Sequence, residues 1–260
     1  MIFHYTIGHT TEISRGCILD HGVCITWYNL PDNSRDAYLA WLHDSYIPKQ
    51  LERPGVKWAA HYASLDNVKL SGAKGRLSNV KSSAVPAGDR FILLLGGADA
   101  HAFARPTQIE YHAELPAADR KMLALRIGER VNVMAEEARV HGPAATQPVD
   151  GIAMSACIQI GSFNNGAGQE DDEVMAWYAQ WRLPCMEKLP GCVRVRKYAS
   201  VAGWAKHAIV YEFTSAEARN ENFLEHESPY PEQEAWSDRV VRKLVHAPGS
   251  PNLARRIWPA

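Results

Sequence analysis

The 260-residue sequence lacks the features that mark several large classes of protein. It has no apolar run of the roughly 18 residues that a membrane span needs, and its first nine residues lack the basic start and apolar core of a signal peptide. Its 28 basic and 29 acidic residues leave a net charge of −1, so no global basic field is available to hold nucleic acid or an anionic membrane. We therefore expect a cytoplasmic protein whose partners include neither nucleic acid nor a membrane.

Cysteine patterns and cofactor motifs are absent as well. The five cysteines form no CxxC pair and are too sparse for a disulfide scaffold, so we expect reduced thiols. No GxGxxG, GxxxxGK or GxSxG motif occurs, which leaves nicotinamide, nucleotide and serine-hydrolase chemistry without support. The eleven histidines contain no HxH or HExxH metal-binding pattern. The sequence therefore predicts no cofactor and no metal.

What the sequence does have is an ordinary globular composition, with 46% hydrophobic and 22% charged residues, and an internal repeat. Residues 37–64 and 173–200 align without a gap in a single frame, in which Pro48 falls opposite Pro184. The identical pairs are Ala40/Ala176, Trp41/Trp177, Pro48/Pro184, Pro54/Pro190, Gly55/Gly191, Tyr62/Tyr198, Ala63/Ala199 and Ser64/Ser200. Matches of tryptophan, proline and tyrosine in one frame indicate a duplicated unit.

Each copy shows the same order of predicted elements. Predicted strands are 23–30, 56–64 and 90–95 in the first copy, and 154–163, 192–200, 206–213 and 253–258 in the second. Predicted helices are 34–50, 116–140, 172–188, 216–226 and 233–245. This is the order of a split βαβ, ferredoxin-like unit, and two such units can cover each other's bare sheet face.

We therefore predict an α+β fold in which two tandem ferredoxin-like repeats, 1–145 and 146–260, pack their antiparallel sheets into one intramolecular α/β barrel with helices outside. The Gly/Pro-rich segment 141–151 is the predicted seam. The first copy carries an insertion at 65–89 that contains Lys69, Lys74, Arg76 and Lys81. It is either a solvated hairpin extension or an arm that offers positive charge to an anionic substrate.

Both copies resemble the dimeric α/β-barrel superfamily, most closely its EthD-like and antibiotic-biosynthesis-monooxygenase-like branches. The resemblance is carried by Trp41 to Pro48, Pro54-Gly55-Val56 and Ala60-His61-Tyr62, and in the second copy by Trp177-Tyr178, Leu183-Pro184, Pro190-Gly191 and Arg196-Lys197-Tyr198. It implies a pocket between helix and sheet, faced by a helix histidine. This chain has Tyr46 at that position in the first copy and Arg182 in the second.

The candidate catalytic residues follow from that position and from the histidines. Arginine presents a planar fork to a carboxylate, and tyrosine can donate to a developing oxyanion. The catalytic candidates are Arg182, Tyr46, His207 and Tyr178.

Strand alternation supplies candidate binding residues. Arg194, Arg196 and Tyr198 share one strand face, so the two arginines either face a ligand or pair with acids such as Glu187, Glu212 or Glu217. The substrate-binding candidates are Arg194, Arg196, Tyr198, Trp58, His61, Trp177 and His226. Trp58 stands on the equivalent face in the first copy, where an aromatic wall and plain core packing are both consistent with the pattern.

These residues lead to a hypothesis about function. We predict a cofactor-independent enzyme acting on a small aromatic anion, most simply a lyase that decarboxylates a phenolic acid. The alternatives are a cofactor-free aromatic monooxygenase, a haem enzyme of the chlorite-dismutase type, and a non-catalytic binder of hydrophobic acids. Assembly into a homo-oligomer is left open.

Overall fold

The computed structural model describes residues 20–65, 76–145, 154–165 and 169–259. The strands within these ranges are β1 (Gly22–Asn29), β2 (Val56–Ser64), β3 (Ser78–Asn79), β4 (Phe91–Gly97), β5 (Ile127–His141), β6 (Cys157–Asn164), β7 (Cys192–Ala202), β8 (His207–Phe213), β9 (Val245–His246) and β10 (Asn252–Trp258). The α-helices are α1 (Arg35–Trp41), α2 (Ile47–Leu51), α3 (Gln108–Glu114), α4 (Ala117–Leu123), α5 (Gln169–Trp177), α6 (Leu183–Met186), α7 (Ala216–Phe223) and α8 (Pro231–Val241).

Eight of these strands form a closed antiparallel barrel. Their order is β10-β2-β4-β1-β5-β7-β8-β6, and β6 pairs again with β10. The ring closes at Ala254 of β10, which lies opposite Ser64 of β2 on one side and Ile158 of β6 on the other. Closure leaves no free sheet edge in the ring. The predicted α+β barrel with helices outside is thus confirmed at the level of the fold.

The two halves of the ring have the same strand order. It is β5-β1-β4-β2 in one half and β10-β6-β8-β7 in the other. A helical segment follows the first strand in each half. The barrel interior contains a buried cluster drawn from both halves, and two further clusters lie between the outer faces of the strands and the helices.

Each of these helical segments contains one π-helical turn. Leu42–Tyr46 joins α1 to α2, and Tyr178–Arg182 joins α5 to α6. The two turns have equal length and occupy equivalent positions in the aligned frame of the repeat. The predicted helices at 34–50 and 172–188 are therefore in the right place, although no sequence pattern indicated the π turns. Tyr46 and Arg182 each end a π turn and are buried, as the helix-face prediction required.

The predicted helix at 116–140 is wrong. The chain instead forms α3 and α4 and then the 15-residue strand β5. Residues 127–141 are rich in Glu, Arg and Ala, which favour helix locally, but Val131 and Val133 pack towards the helices while Met134 lies in the barrel interior. Pairing with both β1 and β7 overrides the local preference, because this strand joins the two halves of the ring.

Part of the 65–89 insertion pairs with the C-terminal region. β3 pairs in parallel with β9, which also pairs with β6. Lys69, Lys74 and most of the predicted seam at 141–151 lie outside the described residues. Among the described helices, none has the length and apolarity needed to cross a bilayer.

Candidate functional site

A cavity lies in the second half of the chain, between the outer face of β6 and β8 and the helices α5 and α8. Its empty volume is about 680 Å³, which includes the open space at its mouth. Four aromatic side chains line it, namely Phe163, Trp177, Tyr178 and Tyr211. The polar side chains at its wall include Arg76, Arg182, Glu227, Ser237 and His246.

Arg182 lies at this wall because the π turn ends there. Its Nε donates to the Tyr211 hydroxyl at 3.0 Å, and its Nη1 donates to His226 Nε2 at 2.6 Å and to Glu227 Oε1 at 2.9 Å. Its guanidinium carbon lies 4.8 Å from the Phe223 ring centroid. Burial would lower the pKa of Arg182, but Tyr211 and Glu227 raise it above its ordinary value. Nη2 takes part in no hydrogen bond with the described residues, so Arg182 is a fixed cation with one uncommitted donor.

Glu227 balances this cation. Its carboxylate accepts hydrogen bonds from Arg182, from Ser237 Oγ at 2.7 Å and from Arg76 Nη1 at 3.2 Å. Burial would raise the pKa of Glu227, but the charge of Arg182 and the Ser237 hydrogen bond hold it below its ordinary value. Arg76 also pairs with Glu234 and Asp238 on α8, so the end of the insertion is tied to the cavity mouth.

The predicted pocket residues on the helix are at this cavity. Trp177 and Tyr178 line it, with ring centroids 4.7 Å apart and Trp177 Nε1 bonded to Ser237 at 3.0 Å. Burial and the neighbouring Tyr211 raise the pKa of Tyr178 well above its ordinary value. Tyr178 therefore serves as a neutral hydroxyl group in an aromatic wall.

His226, another predicted binding residue, is fully engaged behind Arg182. Its Nε2 accepts from Arg182, and its Nδ1 lies 2.6 Å from the Phe223 carbonyl oxygen. Burial and the charge of Arg182 lower the pKa of His226 to about 4, so the ring is neutral at pH 7. His226 therefore holds the Arg182 guanidinium in place.

His207 lies near the cavity but outside its lining. Its Nδ1 accepts from Lys197 at 3.0 Å, and its ring centroid is 5.5 Å from that of Phe163. Burial and the charge of Lys197 lower its pKa to about 4. His207 contacts the lining residue Phe163 and does not reach Arg182.

The structure does not bring Arg194 and Arg196 to Arg182. The two arginines and Tyr198 do share a strand face, but it is the one turned into the barrel, on the opposite side of the sheet from the cavity. Arg196 is fully buried, with Nη1 3.1 Å from Asp20 and Nη2 3.3 Å from Glu212, while Arg194 Nε donates to Glu212 at 2.7 Å. The expectation that Arg182, Arg194 and Arg196 line one pocket is therefore wrong. Arg194 and Arg196 instead pair with acids, Glu212 included, which was the alternative prediction.

Trp58 belongs to the same interior. Its ring stacks under the Arg196 guanidinium at 4.9 Å, and its Nε1 donates to Asp20 at 3.2 Å. Tyr198 is buried in this cluster as well. For the strand face that carries Trp58, the geometry favours core packing over an aromatic wall of a pocket.

The first half has a cleft at the equivalent place, and it is filled by side chains. Tyr46 bonds to His112 at 2.7 Å, and the buried Arg126 guanidinium lies 5.5 Å from the Tyr46 ring. His61 is fully buried in this cleft, bonded to the Tyr28 hydroxyl and to His43, each at 2.8 Å. Arg126 lies over the rings of both Tyr46 and Tyr28, so it links Tyr46 to His61 through Tyr28, and neither Tyr46 nor His61 is in the lining of the second-half cavity.

The haem alternative requires a histidine beside a slot for a porphyrin. Of the histidines, His246 is the one in the lining described for this cavity, on the short strand β9. The haem alternative therefore depends on His246, a residue that is 5% exposed. Within the described residues, no group of three or more His, Cys, Asp or Glu side chains could hold a metal ion.

Solved structures with the same architecture were found by structural comparison. They include an anthrone oxidase-like protein, with a TM-score of 0.59, 10% identity and coverage of 91% of this chain and 90% of that one. A candidate monooxygenase from Fusobacterium nucleatum subsp. nucleatum ATCC 25586 matches with a TM-score of 0.54, 8% identity, and 91% and 92% coverage. A dye-decolorizing protein from V. cholerae matches with a TM-score of 0.50, 10% identity, and 92% and 94% coverage.

At these identities the likeness shows the fold alone. The shared fold is the ferredoxin-like, dimeric α/β-barrel fold, and in this protein the barrel closes within one chain. No protein-family model matches the sequence, and the search of curated proteins finds no match.

Sequence reasoning missed several residues of the cavity. They are Tyr211, Glu227, Ser237 and His246. Tyr211 could have been predicted, because it lies two residues from Ile209 on a predicted strand. The two side chains are therefore on the same face of that strand, and Ile209 also lines the cavity. Glu227, Ser237 and His246 come from segments without a repeat partner in the aligned frame, and no local pattern links them to Arg182.

Proposed function

We propose that this protein is an enzyme that binds a small aromatic molecule in the second-half cavity and stabilises an oxyanion of that molecule with Arg182. The observation that carries the proposal is the buried Arg182 guanidinium at an aromatic-walled cavity, whose Nη2 makes no hydrogen bond to any residue that the structure describes. A fixed cation in a site of low dielectric stabilises developing negative charge more strongly than the same cation in water.

The cavity supports anion formation better than proton return. Tyr178 has a raised pKa, and His226 is neutral with both ring nitrogens engaged, so neither is a ready acid at pH 7. Decarboxylation of a phenolic acid needs a proton delivered to carbon after carbon dioxide leaves. Oxidation of an activated CH₂ group instead begins when the carbon loses a proton to solvent water at the cavity mouth, and it then needs the resulting carbanion to be stabilised.

We therefore favour cofactor-independent oxygenation over the lyase reaction. In that reaction the stabilised carbanion supplies the electrons that reduce O₂. One oxygen atom stays on the substrate carbon as a carbonyl, and the other leaves as water with the two hydrogens of the CH₂ group. The substrate is thus its own reductant, and the role of Arg182 is to hold the oxygen on which the negative charge is delocalised.

The test uses anthrone and 4-hydroxycinnamate as probes, with O₂ uptake and CO₂ release measured in parallel. We expect O₂ uptake with anthrone and no CO₂ from either probe. Arg182→Met should lower kcat/KM by about 10²- to 10³-fold, Arg182→Lys by less, and Arg255→Met, at an exposed arginine, should leave it unchanged.

Each other outcome has a definite meaning. CO₂ release without O₂ uptake would establish the lyase alternative in its place. Binding of the probes without turnover, weakened by Arg182→Met, would leave a non-catalytic binder of hydrophobic acids. Activity that survives Arg182→Met unchanged would contradict the assigned site.

We further infer that residues 1–145 and 146–260 are duplicated units. The single gap-free frame of the sequence repeat, the equal strand order and the two π turns support this inference. On this view the two clefts diverged. The second-half cleft stayed open as the cavity, and the first-half cleft is filled by Tyr46 and Arg126. Assembly into a homo-oligomer stays a prediction.

A further inference from the structure

His246 has a buried ring nitrogen without a partner. The residue is 5% exposed, it lines the second-half cavity, and its Nδ1 makes no hydrogen bond within the described residues. Its backbone is fixed on both sides, since it pairs with Phe163 of β6 and with Asn79 of β3. The imidazole is therefore held at the cavity wall by two neighbouring strands.

The ring is neutral, because burial lowers the pKa of His246 to about 4, while a hydrogen bond to the Ser78 backbone acts in the opposite direction. A neutral imidazole carries one proton, so Nδ1 accepts a hydrogen bond in one tautomer and donates one in the other. A hydroxyl group can pair with either form, because it both donates and accepts.

The described polar side chains around the cavity do not pair with this nitrogen. Ser237 donates to Glu227, and Arg76 binds Glu227, Glu234 and Asp238. Arg182 uses Nε and Nη1 for other partners, and its Nη2 does not bond to His246. An unpaired polar atom that is buried costs stability, so its persistence at a cavity wall points to a group supplied from outside the chain.

We propose that His246 Nδ1 forms a hydrogen bond with a hydroxyl group of the substrate, so that the cavity selects hydroxylated aromatic molecules. The inference rests on the proposed function and narrows its substrate class. A ligand that pairs with both groups carries a hydroxyl for His246 and, on another part of the ring system, an anionic or carbonyl oxygen for Arg182 Nη2. Because burial lowers the pKa of His246, its ring binds and orients the hydroxyl and does not remove its proton.

The test compares the three monohydroxybenzoates and 4-hydroxycinnamate with benzoate and cinnamate, using calorimetric dissociation constants at pH 7. We expect at least one hydroxylated probe to bind the wild-type protein about 10- to 100-fold more tightly than its parent, because the parent leaves Nδ1 unpaired. In His246→Phe this preference should fall to about one, with parent affinity kept within about threefold. His246→Gln, which keeps an acceptor oxygen, should restore part of the preference.

The preference is a ratio within one variant, so a general loss of affinity does not imitate the effect. A wild-type protein with no preference, a preference that survives His246→Phe, or no binding of any probe would each overturn the inference. A preference lost in His246→Phe, in a protein that turns over neither anthrone nor 4-hydroxycinnamate, would uphold the His246 contact and count against the proposed enzyme. The two claims therefore fail separately.

Discussion

At the scale of single residues, two buried arginines, Arg196 and Arg182, have the same kinds of neighbour, an acid and an aromatic ring. Arg196 lies between Asp20 and Glu212 and over Trp58, in a packed barrel interior. Arg182 has the same kinds of neighbour, with Glu227 as its acid, but it borders a cavity. Two arginines with similar sequence signals thus differ in whether space for a ligand lies next to them.

The Glu227→Gln variant tests how firmly Arg182 depends on its acid. Removing one member of a buried ion pair leaves the other charge uncompensated, so we expect the free energy of unfolding at pH 7 to fall by about 3 kcal/mol. Urea denaturation measures this change. Glu232→Gln, at an exposed position on α8, is the matched control and should stay within about 0.5 kcal/mol of the wild type.

The same variant has a defined pH dependence. The pKa of Glu227 is lowered in the folded state, so its stabilisation is present above the unfolded value of about 4.3 and is lost as the pH falls through the folded value. The difference between wild type and Glu227→Gln should therefore shrink as the pH drops below about 4. A difference that stays constant down to pH 3 would show that the carboxylate charge is not the cause.

At the scale of elements, the π turns place the side chains of both clefts. An i→i+5 hydrogen bond admits one more residue per turn than an α-helix, and such turns are frequent at functional sites. Tyr178 begins the second π turn, and Arg182 ends it. Both reach the cavity from one short segment.

Deletion of Gln180 tests this geometry. The residue is exposed and lies within the π turn, so its loss can convert that turn to α-helix without rotating the flanking α5 and α6. Deletion of the exposed Met175 in α5 instead rotates everything before it by about 100° relative to the sheet. We expect the Gln180 deletion to keep a cooperative thermal transition and the Met175 deletion to lose it. Equal loss in both would contradict the interpretation.

Local signals explain which elements could be predicted. The strand at Val56–Ser64 was predicted with the observed bounds because it alternates apolar residues and is bounded by Pro-Gly and polar turns. The strand β5 was missed because its composition favours helix and its partners are strands of both halves. The barrel was predicted from the two aligned sequence segments, whereas the π turns leave no periodic signal.

At the scale of the whole molecule, the cavity combines residues that could be predicted from the aligned segments with residues that only the complete fold brings there. Arg182 and Tyr178 were found from the repeat, because the helix face is a local property. Glu227 lies in the turn between α7 and α8, and His246 lies on β9. Both are far beyond the π turn in sequence, so only the closed fold brings them to the cavity. Arg194 and Arg196 lie on the other side of the sheet from the cavity, where they pair with Glu212 and Asp20 in the barrel interior.

Closure also buries histidines throughout the molecule. Burial lowers the pKa of four of them to about 4, and that of His61 well below its ordinary value. The four are His112, His207, His226 and His246. Between these values and the unfolded value of about 6.5, the unfolded chain binds more protons than the folded one.

Stability should therefore rise with pH across this window, and acidification from pH 6.5 to 4.5 should lower the free energy of unfolding by several kcal/mol. Each such histidine contributes a slope of at most about 1.4 kcal/mol per pH unit. Urea denaturation across the window measures the total slope. His207→Gln should reduce it by up to one such increment, and His101→Gln, at an exposed position, should not. A flat profile from pH 6.5 to 4.5 would contradict the buried, neutral state of these rings, because a histidine charged in the folded protein releases no stability on acidification.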